Sequence, residues 1–159
     1  MNLKVRRVVT GHDDKGRAVV KTDEISDNVV SNRPGAESCV FWSTQGFPVD
    51  NDGDVDPTKQ KIGTTVDNGT VFRIVRYEPG VGPRMHRTDS IDYAVVMSGR
   101  IDMELDDGVK VSLQAGDVLV QRGTIHNWIN PGPDVCMIAF VLVSAKPASI
   151  GGKVLSAHG

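Results

Sequence analysis

Cysteine is scarce in this chain, with two among 159 residues, and a disulfide framework needs more of them. Cys39 and Cys136 each sit in an apolar, strand-like run (SCVFW and VCMIAFV). That reads as two buried free thiols in a reducing, cytoplasmic compartment. Basic charge is not in excess either. Eighteen Lys and Arg stand against 20 Asp and Glu, for a formal net charge of −2, so neither nucleic acid nor an anionic membrane is expected as a partner. The longest apolar run, near 136–143, falls far short of the ~20 residues that span a bilayer. The start, MNLKVRRVVTGHDD, lacks the apolar core of a signal peptide. No G-x-S-x-G elbow, Walker-type loop or dinucleotide fingerprint appears, and neither cysteine is paired with a histidine in a nucleophile pattern.

Helical spacing of apolar residues is scarce too, while β-branched runs bounded by Gly, Pro, Asp and Asn are many. The pattern predicts strands at 5–9, 18–22, 38–42, 70–78, 91–98, 100–105, 109–113, 118–121, 126–129 and 135–143. Short strands at regular spacing with turn residues between them indicate an all-β sandwich or barrel. The length fits one domain with a sizeable core. Residues 1–66 hold short strands split by polar loops and read as an N-terminal β arm or extra sheet. Residues 67–147 are denser in Val, Ile and Leu and read as the barrel. The small, polar tail 148–159 is expected to be loosely held, with His158 uninvolved.

An acidic segment, PVDNDGDVDPTKQKIG, places Asp50, Asp52 and Asp54 in alternation. A calcium loop of that kind needs Gly at its sixth position and Glu at its twelfth. Val55 and Lys61 stand there, so the segment reads as a solvated loop. His12, beside Asp13 and Asp14, reads as a turn.

Two glycine-bounded patches carry the chemistry. The first, GVGPRMHRTDSIDYAVVMSG, runs from Gly80 to Gly99. The second, GDVLVQRGTIHNW, runs from Gly116 to Trp128. Side chains two apart on a strand share a face, so His86 and Thr88 lie together, and so do His126 and Trp128. Asp92 comes from the next strand, after a turn. Gly80, Gly99, Gly116 and Gly123 stand where tight hairpins need permissive backbone. If the strands close into a small barrel, His86, Asp92 and His126 converge in its mouth.

These patches resemble the two motifs of the cupin superfamily. The first family motif, G-x5-H-x-H-x(3,4)-E-x6-G, is matched in every interval from Gly80 through His86 and Asp92 to Gly99. Thr88 occupies the place of the second His, and Asp92 the place of Glu. The second, G-x5-P-x-G-x2-H-x3-N, is matched by Gly116, Gly123, His126 and Asn130, with Gln121 in place of Pro and one residue fewer after Gly116. The resemblance covers about half of the chain. It implies a double-stranded β-helix, or jelly-roll barrel, and a homodimer with the N-terminal strands packed across its interface. It also implies a metal set of His86, Asp92 and His126. Two imidazoles and a carboxylate form a facial triad suited to Fe, and Mn, Ni or Zn can bind the same donors.

Thr88, Trp128, Gln121 and Arg76 are the residues expected to line a substrate pocket. Arg73 and Arg76 are three apart and lie on opposite strand faces, so one of them should point inward and attract an anionic group. Glu78 shares a face with Arg76 and can neutralise it. Arg84 and Arg87 flank His86 and read as rim or solvated residues. Three functions remain open. The first is a metal-dependent enzyme (decarboxylase, isomerase or dioxygenase type) acting on a small organic acid or an aromatic or polyketide-like molecule. The second is a metal-free dehydratase or isomerase in which His86 or His126 acts as base beside Asp92. The third is a non-catalytic module binding a small molecule.

Overall fold

Alternation of apolar and polar residues builds two facing sheets. A computed structural model describes residues 1–159. The strands are β1 (Arg6–His12), β2 (Ala18–Ile25), β3 (Val29–Arg33), β4 (Ala36–Gln45), β5 (Gly69–Tyr77), β6 (Ser90–Ser98), β7 (Arg100–Glu104), β8 (Lys110–Gln114), β9 (Val118–Arg122), β10 (Asn127–Ile129), β11 (Cys136–Ser144), β12 (Ala148–Ile150) and β13 (Lys153–Leu155). The large sheet runs β3-β4-β5-β11-β6-β9, and a second sheet runs β10-β7-β8. All neighbouring pairs are antiparallel. The result is the jelly-roll barrel that the motif resemblance implies. All ten predicted strands are present, and no helix is long and apolar enough to cross a membrane.

Strands β6 and β11 show how the sequence makes a one-sided sheet. Ala94 and Val96 of β6, and Cys136, Ile138, Phe140 and Leu142 of β11, point inward at every second position. They meet Ile101 and Met103 of β7, Leu113 of β8 and Trp128 of β10 in one apolar core. A smaller cluster of Leu3, Cys39, Phe41 and Ile74 packs elsewhere, and the chain has no disulfide.

The first 66 residues do two different things. Strands β1 and β2 pair only with each other. The buried Arg7 guanidinium ties this ribbon down, reaching Glu24 and Asp56 at 2.6 Å each and the Phe41 carbonyl at 3.2 Å. The guanidinium holds the Asp56 carboxyl well below the usual carboxylate range. Strands β3 and β4 instead extend the barrel sheet, with β4 hydrogen-bonded along β5.

The tail departs from expectation. Gly151 and Gly152 both adopt positive φ (58° and 78°), the conformation of a two-residue hairpin turn. They join β12 to β13. Beyond that hairpin, His158 pairs its backbone with Arg87, through N–H···O bonds of 2.7 and 2.9 Å. The segment expected to hang loose is therefore pinned next to His86.

Glycine spacing in the first patch is enforced by space as well as by φ. At Gly99 (φ +76°) a Cβ would lie 2.3 Å from the Val135 carbonyl oxygen. At Gly116 (φ +91°) it would meet nothing within 4 Å. Gly99→Ala should cost more than the about 1–3 kcal/mol of a strained backbone residue, because Val135 must also move. Gly116→Ala should stay within that range. Chemical denaturation of the two variants checks the order, and equal losses would contradict it.

Candidate functional site

The site begins with a backbone bridge. His86 N–H donates to the His126 carbonyl and His126 N–H donates to the His86 carbonyl, both at 2.9 Å. The bridge joins the two glycine-bounded patches directly. Asn130 fastens their far ends, since its carbonyl accepts from Gly80 N–H at 3.0 Å. Its side chain also donates to the Tyr77 carbonyl at 3.0 Å and accepts from Gly132 N–H at 2.8 Å. This motif asparagine is a buried clip. Asn127 adds a second, accepting from Arg84 N–H at 2.9 Å.

The bridge sets the imidazoles side by side, with ring centroids 4.3 Å apart. Each ring is oriented in the same way. Nδ1 of His86 lies 3.0 Å from the Arg84 carbonyl, and Nδ1 of His126 lies 2.9 Å from the Thr124 carbonyl. A carbonyl oxygen only accepts, so Nδ1 carries the proton in both neutral rings and Nε2 carries the lone pair. Burial pushes His86 down to about 4 and also lowers His126. Both rings are neutral at neutral pH.

They open on a cavity of about 350 Å³. Its apolar wall includes Trp128, Phe140, Leu142, Val75 and Tyr77. Trp128 meets His126 and Phe140 edge-on, at 5.8 and 5.7 Å. Its polar wall includes Thr88, Asp92, Arg33, Arg73 and Arg84. The Ser90 hydroxyl spans Asp92 Oδ1 at 2.6 Å and Thr88 Oγ1 at 2.8 Å. Burial raises the Asp92 carboxyl above its usual range, against the lowering effect of that hydrogen bond.

Of the residues expected from the sequence, His86, Thr88, Asp92, His126 and Trp128 line this cavity, and Gln121 and Arg76 do not. Gln121 is buried opposite Asp92 in the strand register, but its amide donates to Thr124 Oγ1. Arg76 shares its face of β5 with Ile74 and pairs with Glu78 at 2.9 Å. The inward arginine is Arg73, on the face of Val71, Val75 and Tyr77. Arg33 was not foreseen. It lies at the end of β3, which turns into the inner face of β4.

As a metal centre the donor set is incomplete. Two neutral imidazoles present bare Nε2 atoms, the form in which histidine ligates. The carbonyl on each Nδ1 is the outer partner that fixes such rings. The third donor does not join them. No three His, Cys, Asp or Glu side chains are grouped closely enough to share an ion, and Asp92 is bonded to Ser90. The expected triad is present as two imidazoles and a displaced acid, one methylene shorter than the Glu of the family motif.

The buried imidazoles imply a pH dependence of folding. An unfolded histidine protonates near about 6.5, whereas folded His86 resists to about 4. The unfolded state therefore takes up protons first as pH falls. Stability should be full above about 6.5 and decline from there through about 4. The raised Asp92 acts with the opposite sign, costing stability as pH rises through the acid range. Denaturation of chelator-treated protein across this window should show the decline, and His86→Gln should make it shallower. An unchanged slope in His86→Gln would contradict the assignment.

Comparison with known proteins gives the same fold. The cupin domain model matches residues 73–143. Phomopsin biosynthesis cluster protein C' of Diaporthe leptostromiformis is 37% identical over 157 residues, covering 94% of this chain and 83% of that protein. The cupin-domain-containing oxidoreductase fogC of Aspergillus ruber is 33% identical over 162 residues, covering 98% and 80%. Among solved structures, an RmlC-like cupin from Shewanella frigidimarina matches with a TM-score of 0.50 at 13% identity, over 76% of this chain and 85% of that one. By motif spacing, fold and relatives alike, this chain belongs to the cupin family.

Proposed function

We propose that the protein is a metal-dependent cupin enzyme. Its substrate would be a small organic acid or an aromatic or polyketide-like molecule held in the barrel cavity. The chemistry would be of the oxidoreductase type that the name of the Aspergillus ruber relative carries. The observation that supports this most is the pair of imidazoles with Nδ1 on backbone carbonyls and Nε2 bare, 4.3 Å between centroids. His86 and His126 would hold the ion, whose candidates by donor type are Fe, Mn, Ni and Zn. When bound, such an ion supplies Lewis acidity or, for iron, activation of oxygen.

The chain's own residues do the rest. Trp128 and Phe140 give a planar substrate an apolar wall and exclude water from the histidines. Asp92 lies beside Ser90 and Thr88 within the same cavity, accepting from the Ser90 hydroxyl. That hydroxyl–carboxyl chain is also what favours a second reading, a metal-free dehydratase or isomerase in which the bare Nε2 of His86 or His126 accepts a proton and gives it back, with Asp92 as orienter.

Metal titration separates the two. Chelator-treated protein should bind at least one of the four ions stoichiometrically and melt at a higher temperature with it. His86→Ala and His126→Ala should each weaken that binding by at least about 10-fold. If none of the four ions binds or moves the melting temperature, the metal-dependent reading is wrong and the acid–base one takes its place.

A further inference from the structure

The cavity carries an unbalanced positive charge. Three guanidiniums line it, from Arg33, Arg73 and Arg84, against one carboxylate, Asp92. With Asp92 ionised that is three minus one, or +2, inside a chain of net charge −2. None of the three arginines takes part in an ion pair. Asp92 is bonded to the Ser90 hydroxyl and spans no guanidinium.

Two of these arginines also have unused donors. Arg33 Nη1 and Arg73 Nε are buried and find no acceptor. Leaving a buried donor unmade costs on the order of 1–3 kcal/mol, more for a charged group. Two such donors at one cavity wall point to an acceptor from outside the chain. Structural duties do not use them up. Arg73 spends Nη2 on the carbonyls of Gly63 and Thr64, at 2.7 and 2.9 Å. Arg33 lies over the Tyr77 ring, 5.7 Å from its centroid. Arg33 keeps its guanidinium fork, Arg73 keeps Nε and Nη1 as single donors, and a guanidinium stays charged whatever its surroundings.

The acceptor must be anionic, to offset the buried charge, and planar, to match a guanidinium fork. It must also bring an apolar body, because Trp128, Phe140 and Leu142 form the rest of the wall. We infer that Arg33 and Arg73 form a subsite for the carboxylate of an aromatic or conjugated acid, whose body lies along Trp128 and Phe140 toward the His86–His126 pair. Arg84, exposed at the rim, would draw the anion in. This inference rests on the cavity being the substrate site, but on no particular chemistry at the histidines.

Two acids of that class serve as probes, cinnamate and sorbate, each beside its neutral amide. Calorimetry on chelator-treated protein reads binding with neither metal nor turnover, so its outcome is separate from the metal titration. At least one acid should bind at least about 10-fold more tightly than its amide, the loss expected when a buried charge is left without its partner. Arg33→Gln and Arg73→Gln should each erase that preference and leave amide binding alone. Arg76→Gln, outside the cavity, should leave it intact. Melting curves identify any variant that has lost its fold. For such a position Arg→Lys, which keeps the charge and loses the fork, should reduce the preference without abolishing it. If both acids bind no better than their amides, or if the preference survives both glutamine variants, the subsite does not exist.

Discussion

Everything at this site hangs on one pair of backbone hydrogen bonds. The His86–His126 bridge joins two segments 40 residues apart in sequence, and the side-chain geometry follows from it. Residues paired across an antiparallel bridge have neighbouring side chains, so the two rings are forced together. Each ring then turns until Nδ1 meets the carbonyl two residues earlier. The same bridge orders the surroundings. Arg87, next in sequence, receives the backbone of His158, and Asn127, next on the other side, holds the backbone of Arg84. Gly99 and Asn130 act at a distance, by fixing the turns that deliver the two segments.

Burial decides the charge state, and the forced pairing adds to it at His86. Two imidazolium ions about 4 Å apart would repel by about 4 kcal/mol at an effective dielectric constant of 20. Burial is the largest cause that lowers both rings, and Arg84 adds to it. The cavity therefore divides into two regions of different character. One is a neutral, electron-rich pair of nitrogens. The other is a cationic wall at Arg33 and Arg73. A substrate with a charged end and a flat apolar body would bridge the two, and the position of its reactive part would be set by where its anion is held.

The barrel was legible in the sequence because glycine and alternation both leave marks. The intervals from Gly80 to Gly99 and from Gly116 to Asn130 predict the hairpins, and the two-residue period puts His86 with Thr88 and His126 with Trp128. Period alone says which arginines oppose each other but not which face is inner, which is why Arg73 rather than Arg76 reaches the cavity. The neighbours decide it, since Val71, Val75 and Tyr77 share the face of Arg73. Arg33 escaped because β3 is short, polar and half-exposed, with no alternation to mark it. The tail hairpin left a signal in Gly151–Gly152, the pair that a tight turn favours, but three-residue strands on either side carry too little pattern to be read. Thr88 and Asp92 were legible as departures from the family motif. Their joining through Ser90 was not, because it depends on side-chain directions that spacing does not encode.

The central claim is that both histidines are held as neutral rings protonated at Nδ1, with Nε2 free to ligate or to accept a proton. Long-range proton–nitrogen NMR of chelator-treated protein at neutral pH reads that state directly for each ring. The account predicts two histidines, assigned to positions 86 and 126, with protonated Nδ1 and pyridine-like Nε2. Protonation at Nε2, or an imidazolium signal from either ring, would contradict it.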